Sequence, residues 1–159
     1  MKEYVKPFIS VCKNVFKEFL GEELEAKVPY FIEKEKVAEW DISAIIGLTG
    51  EARGAVVLSM KDDLAIKLTA ILTGKQTGFG IVYNDVVDAV GEIINIIAGN
   101  VKYDLEESFR LAISLPTLIK GKEHTINWPD SQARVICIPF TIFGKENFSL
   151  SIALEATND

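Results

Sequence analysis

The sequence predicts an α+β fold in which long helices pack on a mainly antiparallel sheet, with the whole plan built twice. Three observations predict it. Apolar residues recur at helical spacing in three stretches, Tyr4 to Leu20, Leu64 to Thr73 and Asn84 to Leu105. Segments rich in Val, Ile and aromatic residues, broken by turn residues, close into two hairpins around Gly50 and Gly144. The order helix, strand, hairpin occurs once in each half of the chain, about 4–73 and 84–156. A length of 159 residues suits one domain spanning 1–159, large enough to bury a substantial core.

The first helix carries Val5, Phe8, Ile9, Cys12, Phe16, Phe19 and Leu20 on its apolar face, and Gly21 stands where a left-handed residue ends a helix. Ala26 to Glu33 and Ala38 to Leu48 read as strands, and 49–54 as the turn into the strand Ala55 to Met60. Asp62 or Asp63 can cap the second helix, whose apolar face is Leu64, Ile66, Leu68, Ile71 and Leu72. A glycine-rich link, Gly74 to Gly80, leads to the third helix, with Asn84 as its expected cap. Arg110 to Leu115 is a strand and 117–131 an extended or looped segment. Gln132 to Phe143 and Asn147 to Glu155 form the second hairpin. The halves align as Ser10, Asn14, Lys17, Gly21 and Pro29 against Asp88, Glu92, Asn95, Gly99 and Pro116. Their offset is 78 residues at the helices and 94 at the hairpin turns, which places an insertion at Thr117 to Asp130.

A formal charge of −6 argues against nucleic acid or an anionic membrane as the main partner and suits a basic patch on a protein. The N-terminus MKEYVKPFIS lacks the pattern of a secretory signal, and no apolar run approaches the roughly 20 residues that span a bilayer, so a cytoplasmic protein is expected. Cys12 and Cys137 are far apart and sit in apolar patterns, the signature of buried thiols. His124 is the one histidine, which leaves zinc sites and Ser-His-Asp chemistry without their usual material. It reads as a surface residue.

Within the third helix Asp88, Glu92, Asn95 and Gly99 fall within about 60° of one another. Val86, Val87, Ala89, Val90, Ile93, Ile94, Ile96, Ile97, Ala98 and Val101 cover the rest of the circumference, so one narrow polar edge is left for solvent. Spacing alone favours an ordinary polar edge of a packed helix. Against that, Asn is a poor mid-helix residue and Gly costs about 1 kcal/mol relative to Ala, yet both stand on the exposed stripe. The stripe holds no nucleophile beside a base, and the chain contains no metal-ligand cluster or phosphate-binding loop. What remains is assistance to chemistry housed on another molecule. A carboxamide can hold a water in line with a phosphoryl group without titrating.

The run Asp88-Ala-Val-Gly-Glu92-Ile-Ile-Asn95-Ile-Ile-Ala98-Gly99-Asn100-Val-Lys102 resembles the signature helix of the CheX/CheC family of chemotaxis phosphatases, with its Asp/Ser-x-x-x-Glu-x-x-Asn core. Ser114-Leu-Pro116-Thr-Leu-Ile-Lys-Gly121 resembles the Ser-x-Pro segment that follows it in the family. The single intact motif and the chain length are more like CheX members than CheC members. The resemblance implies a pseudo-twofold, duplicated CheC-like fold and a phosphatase acting on a phosphorylated CheY-like response regulator. It implies Asn95 as the residue orienting the attacking water, Glu92 as the partner of the regulator's active-site lysine, and magnesium held by the regulator. Asn14 and Lys17 occupy the Glu and Asn positions of the first half, so that copy is expected to be inactive. Asp88 either steers a basic partner or is an ordinary first-turn carboxylate. Gly99 permits close approach of a partner or of a neighbouring strand. A non-catalytic module docking on a regulator or on the flagellar switch would use the same stripe.

The insertion carries Leu118, Ile119, Ile126 and Trp128, too apolar for a free loop. The expected cover is a second copy in a homodimer with Trp128 in or near the interface, as the resemblance also implies. The alternative is an insertion folded back on its own chain.

Overall fold

The computed structural model describes residues 3–32, 39–76, 80–122, 124, 126, 128 and 134–157. Its elements in chain order are α1 (Val5–Val15, continued by a π-helical turn Phe16–Leu20), β1 (Leu24–Ala26), β2 (Tyr30–Phe31), β3 (Ile42–Gly50), β4 (Ala52–Met60) and α2 (Asp62–Thr73). Then follow α3 (Tyr83–Asp104), β5 (Leu111–Ile113), β6 (Thr117–Lys120), β7 (Ile136–Ile142) and β8 (Glu146–Ala156).

One antiparallel sheet runs in the order β1-β7-β8-β4-β3-β5, with β2 also on β7 and β6 also on β3. The two halves exchange their short strands. β1 and β2 of the first half pair with hairpin strand β7 of the second, and β5 and β6 of the second pair with β3 of the first. The hairpins meet along β4 and β8, where Val57 lies opposite Ser151, 94 residues on, so the pseudo-twofold axis passes between them. Gly54 is required at this seam, because a Cβ there would collide with the carbonyl oxygen of Ala153 on the neighbouring strand.

Strand alternation divides the sheet into two faces. Ile42, Ala44, Ile46, Val56, Leu58, Met60, Ile136, Ile138, Phe140, Phe148, Leu150 and Ile152 form one core with the apolar faces of the helices. Phe16, Phe148 and Phe140 stack in a row, with ring centroids 5.0 and 5.2 Å apart, and tie the π-helical turn to the second hairpin. The other face is lined by small side chains, among them Ser43, Ala55, Ser59, Ser149, Ser151 and Ala153, all buried. Ser43 Oγ lies 2.6 Å from Ser59 Oγ and 2.6 Å from His124 Nε2. His124 is therefore half-buried rather than a free surface residue, and it holds part of the insertion against the chain's own sheet.

Several boundaries differ from the sequence reading for local reasons. The expected strand Ala26 to Glu33 is split at 27–29, where Pro29 lacks the N–H a ladder needs. Ala38, expected in a strand, lies outside the described residues. The 117–131 segment opens with a true strand, β6. α3 starts before Asn84: Val82 occupies the cap position, and its N–H donates to Asp85 Oδ2 at 3.0 Å. α2 is held at its start by Asp41 Oδ2, which accepts from the N–H of Asp62 at 2.9 Å. Lys120 faces Ile42 where Phe31 faces Ile136, so the halves run 89 residues apart at these strands. With offsets of 78 at the helices and 94 at the hairpins, most of the insertion precedes β6, where α3 continues past Gly99 to Asp104. The smaller part follows β6.

Candidate functional site

α3 packs against α1 and α2 on its sides and against β3 to β6 below. Val86, Ala89, Val90, Gly91, Ile93, Ile94, Ile97, Ala98 and Val101 are buried there. This fixes the helix about its axis and leaves the stripe outward. Asp88 and Glu92 are exposed, and Asn95 and Gly99 are half-buried. No hydrogen bond or ion pair ties the side chains of Asp88, Glu92 or Asn95 to any described residue. Asn100 is the contrast, because its Nδ2 donates back to Ile96 O at 2.8 Å and so serves the helix itself. Asn95 keeps both its donors and its acceptor available, beside a carboxylate one turn earlier.

The helix N-terminus carries its own polar fixings. The N–H of Val82 and, at 3.3 Å, the Lys75 ammonium both meet Asp85 Oδ2, and together they hold the Asp85 carboxyl below its ordinary range.

A Cβ on Gly99 would meet nothing within 4 Å, so no neighbouring strand requires a glycine there, and the space above it is open to a partner. The glycine that lies close under neighbouring chain is Gly91, which the sequence reading did not single out. A Cβ there would lie 3.3 Å from Leu118 Cδ2 and 3.6 Å from Pro116 Cγ. The signal was present as a second glycine inside the helix, four residues before Asn95 and costing about 1 kcal/mol of helix propensity. Ser114 fixes the same connection from the other side: its Oγ accepts from the N–H of Gly47 at 2.9 Å and donates to Leu115 O at 2.9 Å. The Ser-x-Pro segment and the stripe helix are thus in direct contact.

His124 belongs elsewhere. Its Nδ1 lies 2.7 Å from Gly121 O, which can only accept, so Nδ1 donates there and Nε2 is left to the Ser43 hydroxyl. The sheet separates this pair from α3. Cys12 and Cys137 are free and buried, and burial pushes the Cys12 thiol far up. Among the described residues no three His, Cys, Asp or Glu side chains converge to hold a metal ion, and no helix is long and apolar enough to cross a membrane.

An interlocked, duplicated antiparallel sheet with helices on one face and a single carboxylate and carboxamide stripe defines a CheC-like class of fold. The family model described as the chemotaxis phosphatase CheX matches residues 42–141, and the chain belongs to that family. The "CheY-P phosphatase CheX" of Thermotoga maritima is 24% identical over 157 residues, covering 96% of either chain. The crystal structure of a CheX from Desulfovibrio desulfuricans matches with a TM-score of 0.86 at 30% identity, over 97% of this chain and 100% of that one. The CheX-CheY-BeF3-Mg complex from Borrelia burgdorferi matches in fold with a TM-score of 0.77 at 23% identity, over 96% and 98% of the two chains.

Proposed function

We propose that this protein is a phosphatase that accelerates loss of phosphate from the phospho-aspartate of a CheY-like response regulator in chemotaxis signalling, with Asn95 and Glu92 carrying the activity. The observation that carries the assignment of residues is Asn95 itself: a half-buried mid-helix carboxamide whose hydrogen-bonding groups are all unclaimed, next to an exposed and unpaired Glu92. Asn95 enters the regulator's active site and holds a water in line with the phosphoryl group. The water oxygen forms the new bond to phosphorus as the bond to the aspartate oxygen breaks, giving inorganic phosphate and a free carboxylate. Glu92 forms a charge-assisted bond with the regulator's active-site lysine and sets the register of the two proteins. Magnesium belongs to the regulator, as is consistent with the CheX-CheY complex of Borrelia burgdorferi that contains it. Asp88 adds negative charge to the docking face, and Gly99 keeps the end of the stripe flat.

The setting is the cytoplasm and the assembly a homodimer. Trp128 is half-buried in a single chain, and pairing through the insertions covers it while leaving both Asn95 stripes free. Sedimentation at micromolar concentration should give twice 17.6 kDa, and Trp128→Asp should shift it toward the monomer. A 17.6 kDa species in the parent protein contradicts the dimer. For the activity, catalytic amounts of the protein added to a phosphorylated regulator should speed phosphate release, measured against every regulator of the cell. Acceleration of none of them contradicts the assignment.

A further inference from the structure

Leu115 is 86% exposed, more than any other large hydrophobic side chain among the described residues, and it does not sit on a loose loop. Ser114 is bound in both directions to Gly47, its N–H donating to Gly47 O at 3.0 Å and its Oγ accepting from Gly47 N at 2.9 Å. Pro116, on the other side, lies against Gly91. The leucine between them is presented on a backbone pinned at both neighbours, so burying it against a partner costs little conformational entropy.

Its place along α3 follows from two contacts. Pro116 and Leu118 meet Gly91, and Lys120 Nζ sits 4.6 Å from the centroid of the Tyr83 ring. β6 therefore runs along α3 from Gly91 toward its N-terminus, and Leu115, before Pro116, stands toward Asn95. Gly91 and Asn95 are four residues apart, hence one turn of about 6 Å and only about 40° around the helix. A protein interface of about 800 Å² per partner has a radius of roughly 16 Å, so a partner docked with its interface centred on Asn95 reaches over the turn of α3 beside which Leu115 stands.

We infer that Leu115 is a docking residue of the phosphatase site, inserting into an apolar patch on the receiver domain close to its phosphorylated aspartate. This rests on the proposed function and adds what the polar stripe lacks, a desolvated apolar anchor beside the charged and carboxamide contacts. The first half supplies an internal control. Val28, in the β1–β2 connection that corresponds to the β5–β6 connection carrying Leu115, is 84% exposed but accompanies the stripe whose Glu and Asn positions hold Asn14 and Lys17.

The test compares Leu115→Ser, Leu115→Met and Val28→Ser in the full-length protein, reading KM and kcat for dephosphorylation. The dissociation constant for the phosphorylated regulator is read in an Asn95→Ala background. Leu115→Ser should raise KM and the dissociation constant about tenfold with kcat within twofold, while Leu115→Met and Val28→Ser stay near the parent. Unchanged KM and binding in Leu115→Ser, with normal turnover by the parent, overturns the anchor and leaves the phosphatase intact. Binding that weakens on Leu115→Ser, in a parent without turnover, upholds the anchor and removes the phosphatase. Equal losses in Leu115→Ser and Val28→Ser also overturn it, because the effect would then not be local to the site.

Discussion

Glu92 and Asn95 are one turn apart, and the structure gives neither an internal task. Their proposed roles differ, and substitution separates them. Glu92→Lys places like charges together at the docking contact, so the dissociation constant for phosphorylated regulator should rise tenfold or more while the fold is kept. Titration by fluorescence or calorimetry checks it, and normal affinity in Glu92→Lys would remove the lysine contact. At this scale the sequence was most informative, because a helical wheel needs nothing beyond local order to place Asp88, Glu92, Asn95 and Gly99 together. It could not show that Gly91 is the glycine under contact and Gly99 the open one. Those positions differ only in what remote chain, Pro116 and Leu118, lies over them.

α3 is set by its packing on α1, α2 and the sheet, and its first turn is fixed by Asp85. Asp85 accepts from the Val82 N–H first and from Lys75 second, and both contacts are stronger to the charged carboxylate. Its folded pKa is thus below the unfolded one. The contribution is fully present above about pH 4, the unfolded value, and disappears as pH falls through the lower folded value. Asp85→Ala should accordingly melt at a lower temperature than the parent at pH 7, and the gap should close on acidification below about pH 4. Thermal melts followed by circular dichroism across pH read this directly, and a gap that persists in acid would assign Asp85 a role other than its charge. The sequence suggested Asn84 as cap because Asn is a good N-cap residue. What decided was that the chain enters extended at Val82, with Asp85 three residues on to reach back.

At the scale of the molecule, the duplicated plan was visible in the order of elements, but the exchange of short strands between halves was not. Which hairpin β1 and β5 pair with is a matter of long-range register, and three-residue strands carry too little pattern to declare it. The π-helical turn Phe16–Leu20 was equally hidden, since its residues suit an α-helix; the Phe16, Phe148 and Phe140 stack accompanies it. That turn bears on the first-half stripe. Looser winding from Phe16 onward means α1 does not repeat the spacing of α3, and Lys17 there is paired with Glu23 at 3.5 Å. Lys17→Asn should therefore add no activity to an Asn95→Ala protein. Recovered turnover in that double variant would show that the first half had lost only one side chain.

The proposed role of Asn95 lies in the reaction and little in the complex. Single-turnover dephosphorylation of the regulator by Asn95→Ala, measured alongside its affinity for the phosphorylated form, tests it most directly. The catalysed rate should fall about 100-fold or more, with affinity within a few-fold of the parent. A rate that survives, or a rate that falls only in step with binding, would contradict it.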